Sequence, residues 1–209
     1  MVKRIDYQIE KYVFSDIGES PRITRQWAEV AGECLQQKAG SEERLRIALL
    51  NVDYVTSFEL PFRLLLIRSP QLIDRLREEL SINQKSVTIN GKNRGCVYSL
   101  TTDLSKAPDS FRYRFSNRIQ RVEPSGPTAA PYLEIAKQTK EPRERLRLAL
   151  ASGLEINALD GLFWLSIQRI AADVSVLRKA GMVIVTSEIE VFDTLTETVR
   201  RISSYRLKA

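Results

Sequence analysis

The 209-residue chain sets 32 Lys and Arg against 26 Asp and Glu, a formal charge of +6, with 43% apolar and 28% charged residues, an ordinary globular balance for one large or two small domains. Histidine is absent, and Cys34 and Cys96 lie far apart without a CxxC spacing. This weighs against hydrolytic or metal-dependent catalysis, a zinc site and a disulfide framework. No run of eighteen apolar residues occurs, and MVKRIDYQIEKYV has no signal-peptide core, so a soluble cytoplasmic protein with no membrane partner is expected. The basic balance is compatible with a polyanionic partner, although many basic proteins bind nothing anionic.

In chain order, residues 6–14 alternate as a strand or arm would. Ser20-Pro21 then opens a helix to about Lys38, burying Ile23, Trp27, Val30, Ala31 and Cys34 or Leu35, with Gly40 closing it. A second helix covers Leu45 to Leu50. Ser57 caps a third from Phe58 to Leu66 with Pro61 in its first turn, and Ser69-Pro70 opens a fourth to about Leu80. SVTINGKNRGCVYSL reads as a hairpin around Asn90-Gly91, with Lys92 and Arg94 at its tip. A basic tip beside a reading helix suits phosphate contact, and a solvated cationic turn explains it equally.

From Phe111 to Gln120 aromatics alternate with arginines, Arg112 and Arg114 among them. Such interleaving can bind nucleic acid, while alternation by itself requires only a half-buried edge strand, the preferred reading. EPSGPTAAP is a linker, so the domains are residues 1–122 and 132–209, joined by 123–131. Tyr132 to Lys140 is helical.

Glu144 to Ala151 then forms a helix ended by Ser152-Gly153, Asn157 caps one over Ala158–Leu165, Ser166 marks a sharp turn, and a further helix runs from about Gln168 to Ala180 with Gly181 after it. Met182–Thr186 and Glu188–Phe192 read as a two-stranded wing. Leu195, Val199, Ile202 and Tyr205 recur at helical spacing, predicting a C-terminal helix over Thr194–Leu207.

A shift of 101 residues lays Glu43–Leu80 on Glu144–Gly181 without a gap: ERLRIALL falls on ERLRLALA, Phe62 on Phe163, Arg68 on Arg169 and Leu76-Arg77 on Leu177-Arg178. About eleven of 38 positions are identical. A repeat of this length is a duplicated domain.

The order helix, short helix, turn, helix, hairpin resembles the winged helix-turn-helix family, and ALDGLFWLSIQRIAADVSVLRKAGMVIVT resembles winged-helix domains of phage and plasmid proteins. The resemblance implies an α+β, mainly α fold of two tandem winged helices that bind double-stranded DNA without a cofactor or small-molecule substrate. It implies that the third helix of each copy meets base edges, through Gln168, Arg169, Ser175 and Lys179 in one and Arg68, Gln71 and Arg75 in the other. Asp173 departs from such a face unless it accepts from cytosine or pairs with Arg169. Two heads could engage major-groove faces roughly 34 to 36 Å apart, as a transcription regulator or a replication or maintenance protein of a mobile element would. The alternative is a non-catalytic adaptor or inhibitor whose winged helices bind a protein partner, a reading that the acids on both third helices favour; a homodimer is compatible with either.

Overall fold

The computed structural model describes residues 3–4, 12–14, 21–57, 59–89, 92–101, 103–104, 119–121, 130–167 and 169–208. The fold is mixed α and β. Its elements are β1 (Lys3–Arg4), β2 (Tyr12–Phe14), α1 (Pro21–Gln36), α2 (Ser41–Asn51), β3 (Val55–Thr56), α3 (Leu60–Leu64), α4 (Ser69–Leu76), β4 (Asn83–Ile89), β5 (Lys92–Ser99) and β6 (Ile119–Arg121). They continue with α5 (Ala130–Gln138), α6 (Pro142–Ala151), β7 (Ile156–Asn157), α7 (Ala158–Phe163), α8 (Ile170–Lys179), β8 (Ile184–Asp193) and β9 (Thr198–Leu207).

Two compact units result. One holds Gln8–Val122 with Thr194–Thr198; the other holds Met1–Tyr7, Glu123–Asp193 and Val199–Ala209. In the first, a two-residue strand pairs with the far arm of a hairpin, giving a sheet in the order β3-β5-β4 with Val55 opposite Tyr98 and Thr56 opposite Val97. In the second the same order recurs as β7-β9-β8, with Ile156 opposite Tyr205 and Asn157 opposite Ser204. There β1 adds a parallel edge strand on β8, Lys3 facing Val191.

The 101-residue offset extends into backbone detail. It carries β3 onto β7, and it carries the left-handed Leu65 (φ 53°) onto the left-handed Ser166 (φ 62°). Residues with side chains seldom adopt this conformation, so its repetition marks a turn the fold requires before the next helix. The offset also carries Thr56 and Glu59 onto Asn157 and Asp160. Asn157 Oδ1 accepts from the Leu159 and Asp160 N–H groups while Asp160 Oδ2 accepts from the Asn157 N–H, a reciprocal cap that opens α7. In the first copy Thr56 Oγ1 accepts from the Glu59 N–H and donates to Glu59 Oε2 at 2.6 Å.

The cores follow from helical spacing: Ile23, Trp27, Val30 and Cys34 line one face of α1, and Ile170, Val174 and Leu177 one face of α8. Sizes interchange between copies. Gly161 lies against Ile170, so that an added Cβ would stand 3.1 Å from its Cδ1, whereas the equivalent positions carry Leu60 and Ser69, both buried. Ring contacts differ similarly. Arg63 lies 4.7 Å over Trp27, while its counterpart Trp164 stacks on Tyr132 with centroids 5.5 Å apart.

Several sequence expectations are corrected. Thr194–Leu207 is not a helix, because Thr198–Leu207 is a strand. Its partner β8 is one continuous strand rather than the two arms of a short wing. A ten-residue arm with β-branched Ile184, Val185, Thr186, Ile189 and Val191 leaves a row of backbone groups that β9 satisfies. Ser57 does not cap α3; its hydroxyl accepts from the Cys96 N–H. The left-handed residue after α1 is Lys38, with Gly40 extended as the N-cap of α2.

Candidate nucleic-acid interface

In α8 the core positions Ile170, Val174 and Leu177 turn the opposite face outward. Arg169, the N-cap, and Ala172, Ser175, Val176 and Lys179 are all exposed. They share one stripe because residues three and four apart are neighbours on a helix. Asp173 lies at the border of this stripe and is only 20% exposed, its Oδ1 accepting from Arg143 Nε of α6 at 2.8 Å. The acid is thus paired with Arg143 and not with Arg169. Arg169 and Lys179 meet no acid among the described residues, and Gln168 lies outside them.

The equivalent face of α4 is built differently. Arg68, Gln71 and Arg75 are exposed, but Ser69 is buried. Most of its charges are matched: Arg75 stands 3.6 Å from Glu42, Arg77 stands 3.7 Å from Asp74 and donates to Gln84, and Glu79 is held at 2.6 Å by Arg46. That contact and neighbouring acids raise the Arg46 pKa above its ordinary value.

Arginines identical in the two copies mostly serve the fold. Arg44 is buried and donates to Ala39 O, Leu64 O and Thr196 Oγ1; Arg145, its counterpart, donates to Thr139 O. Arg178 clamps α8 to β8 through Ile184 O and Thr186 Oγ1. Arg147 forks onto Glu144, holding its carboxyl below the usual carboxylate range. Repetition in sequence therefore marks structure here, and the exposed Arg68 and Arg169 are the shared cations that stand apart.

In the β4–β5 hairpin, Thr88 opposes Asn93 and Val87 opposes Gly95, so Arg94 is the extra residue of a bulge, next to a glycine at φ 131°. Lys92 opens β5 opposite Ile89. Asn90-Gly91, Arg112 and Arg114 lie outside the described residues. The second hairpin is built for another purpose. The loop closed by Asn157 and Ser204 is six residues longer than that closed by Thr56 and Val97, and its tip, Thr194–Thr198, belongs to the first unit. There Leu195 packs on the core and Thr196 is fully buried. No signal in the local sequence marked this, since the tip is short and its ends read as helix.

Among the described residues no group of three His, Cys, Asp or Glu side chains is placed to hold a metal ion, and no helix is long and apolar enough to cross a membrane. The chain matches no family model, no curated protein and no solved structure.

Proposed function

We propose that the protein is a non-catalytic double-stranded DNA-binding protein built of two winged helices, acting in transcription regulation or in replication or maintenance of a phage, plasmid or other mobile element. The order helix, two-residue strand, short helix, left-handed turn, helix, hairpin occurs twice, and in each copy the strand pairs with the far arm of the hairpin. This order supports the reading, because a helix-turn-helix protein lays its recognition helix in the major groove.

The observation that carries the reading is the outward face of α8. Arg169, Ser175 and Lys179 stand there among small residues, and Asp173, the acid within α8, is held by Arg143. Arg can meet guanine bidentately, Ser can meet either kind of base edge, and Lys neutralises phosphate. The alternative, an adaptor that docks a protein, draws support from the α4 segment, where Arg75 and Arg77 stand beside acids.

Fluorescence anisotropy of a labelled random-sequence duplex at about 50 and 200 mM salt tests the reading. Kd is expected to rise by about tenfold or more across that range, as several phosphate contacts demand. Absence of binding at the lower salt would overturn it.

A further inference from the structure

We infer that base readout is concentrated in the second copy, on α8, and that Arg143 is the positioning residue that makes this face acceptable to DNA. The inference rests on the DNA-binding reading above and says where in the molecule that function lies.

The two faces differ in charge and in bulk. Along α4 and the turn after it, residues 68–79, three cations (Arg68, Arg75 and Arg77) face three acids (Asp74, Glu78 and Glu79), most of them engaged in the ion pairs described. The field this segment offers a phosphate backbone is nearly balanced. Along α8 the exposed cations Arg169 and Lys179 lie at the two ends of a stripe of Ala172, Ser175 and Val176. Small side chains let the helix backbone approach base edges closely. Val176, 42% exposed, offers the methyl groups that a thymine methyl accepts. The equivalents of Ala171 and Ala172 on α4 are Pro70 and Gln71, bulkier and without an N–H at Pro70.

Asp173 is the acid within α8 that would spoil its outward face. A carboxylate there repels phosphate unless something removes its charge or holds its direction. Arg143 holds its direction and sets a positive charge beside it: Nε donates to Oδ1 at 2.8 Å from a neighbouring helix, with Asp173 one-fifth exposed and Arg143 about half exposed. The first copy needs no such partner, since its equivalent of Asp173 is Leu72.

The test uses the full chain, a duplex enriched from a random pool, and a scrambled duplex of equal length, read by anisotropy, with circular dichroism to verify folding. Arg169→Ala is expected to lose about tenfold or more on the enriched duplex and little on the scrambled one, as loss of a bidentate base contact requires. Arg68→Ala is expected to weaken both alike. Arg143→Ala is expected to weaken binding about tenfold, and Asp173→Ala added to it to restore most of the loss. That rescue separates positioning from a direct phosphate contact, which would lower the salt slope by about one and stay unrescued.

Loss of preference with Arg68→Ala but not with Arg169→Ala would place readout in the first copy and overturn the inference while leaving DNA binding intact. Failure of Asp173→Ala to rescue would overturn the role of Arg143. A wild-type chain that binds neither duplex would overturn the underlying reading instead.

Discussion

Arg44 and Thr196 lie 152 residues apart in the chain, yet the guanidinium Nη2 donates to the threonine Oγ1 at 2.8 Å in the buried interior of one unit. Arg44 Nε and Nη1 are occupied by the Ala39 and Leu64 carbonyls, so the arginine ties the entry to α2, the end of α3 and the tip of the second hairpin together. A buried guanidinium is tolerable only when acceptors replace water around it.

Thr196→Val is therefore expected to destabilise the fold by about 1–3 kcal/mol, the scale for depriving a buried donor of its acceptor. Thr196→Ser, which keeps the hydroxyl, is expected to cost less. Urea denaturation measures both. Equal stability of Thr196→Val and wild type would show that the contact contributes nothing.

The left-handed turn before the last helix of each copy carries its own prediction. Ser166 is exposed at φ 62°, so Ser166→Gly removes the Cβ strain of about 1–2 kcal/mol while adding less than that in unfolded-state entropy. It is expected to hold or slightly raise the midpoint of thermal unfolding. Ser166→Val is expected to lower it, because a β-branched side chain is disfavoured at positive φ. If Val proved as stable as Gly, the turn would not have the conformation described.

Packing of α7 on α8 gives a third. An added Cβ at Gly161 would meet Ile170 Cδ1 at 3.1 Å and Cβ at 3.4 Å. Gly161→Ala is expected to destabilise by roughly 1 kcal/mol, overpacking outweighing the gain in helix propensity. In an Ile170→Val background, where Cδ1 is gone, the same change is expected to be neutral or stabilising. A double-mutant cycle of denaturation midpoints measures the coupling, and strictly additive effects would contradict the contact.

Tyr132, buried against Trp164, has its pKa raised by desolvation, with the Asp160 charge adding to it. The fold favours the neutral phenol, so this contribution is complete below the ordinary tyrosine range near ~10 and is lost as pH rises through that range toward the folded-state value. Thermal unfolding at about pH 8 and about pH 10.5 is expected to show a larger fall for wild type than for Tyr132→Phe. Equal falls would mean that Tyr132 does not titrate against folding.

Much of this architecture was legible in the sequence. The 101-residue offset placed α2 on α6 and Arg68 on Arg169, because repeated core spacing survives divergence of the surface, and Ser166 by itself marked a turn. Asn157 announced its own cap. Other features were not legible for identifiable reasons. Leu195, Val199, Ile202 and Tyr205 fit a helical period, but β9 forms because β8 supplies an edge to pair with, a fact of tertiary pairing and not of local spacing. The two-residue strands β3 and β7 are too short to show alternation. The Arg143–Asp173 pair joins residues 30 apart, so the sequence could offer Arg169 as the partner but not the helix that supplies it.

The most direct test of the central claim is selection of double-stranded DNA from a random-sequence pool by the purified chain at two salt concentrations, followed by sequencing of what stays bound. Enrichment of a motif that vanishes with Arg169→Ala is the predicted result, together with retention that falls as salt rises. A pool that leaves the protein unenriched at both concentrations, or no retained DNA at low salt, would contradict it.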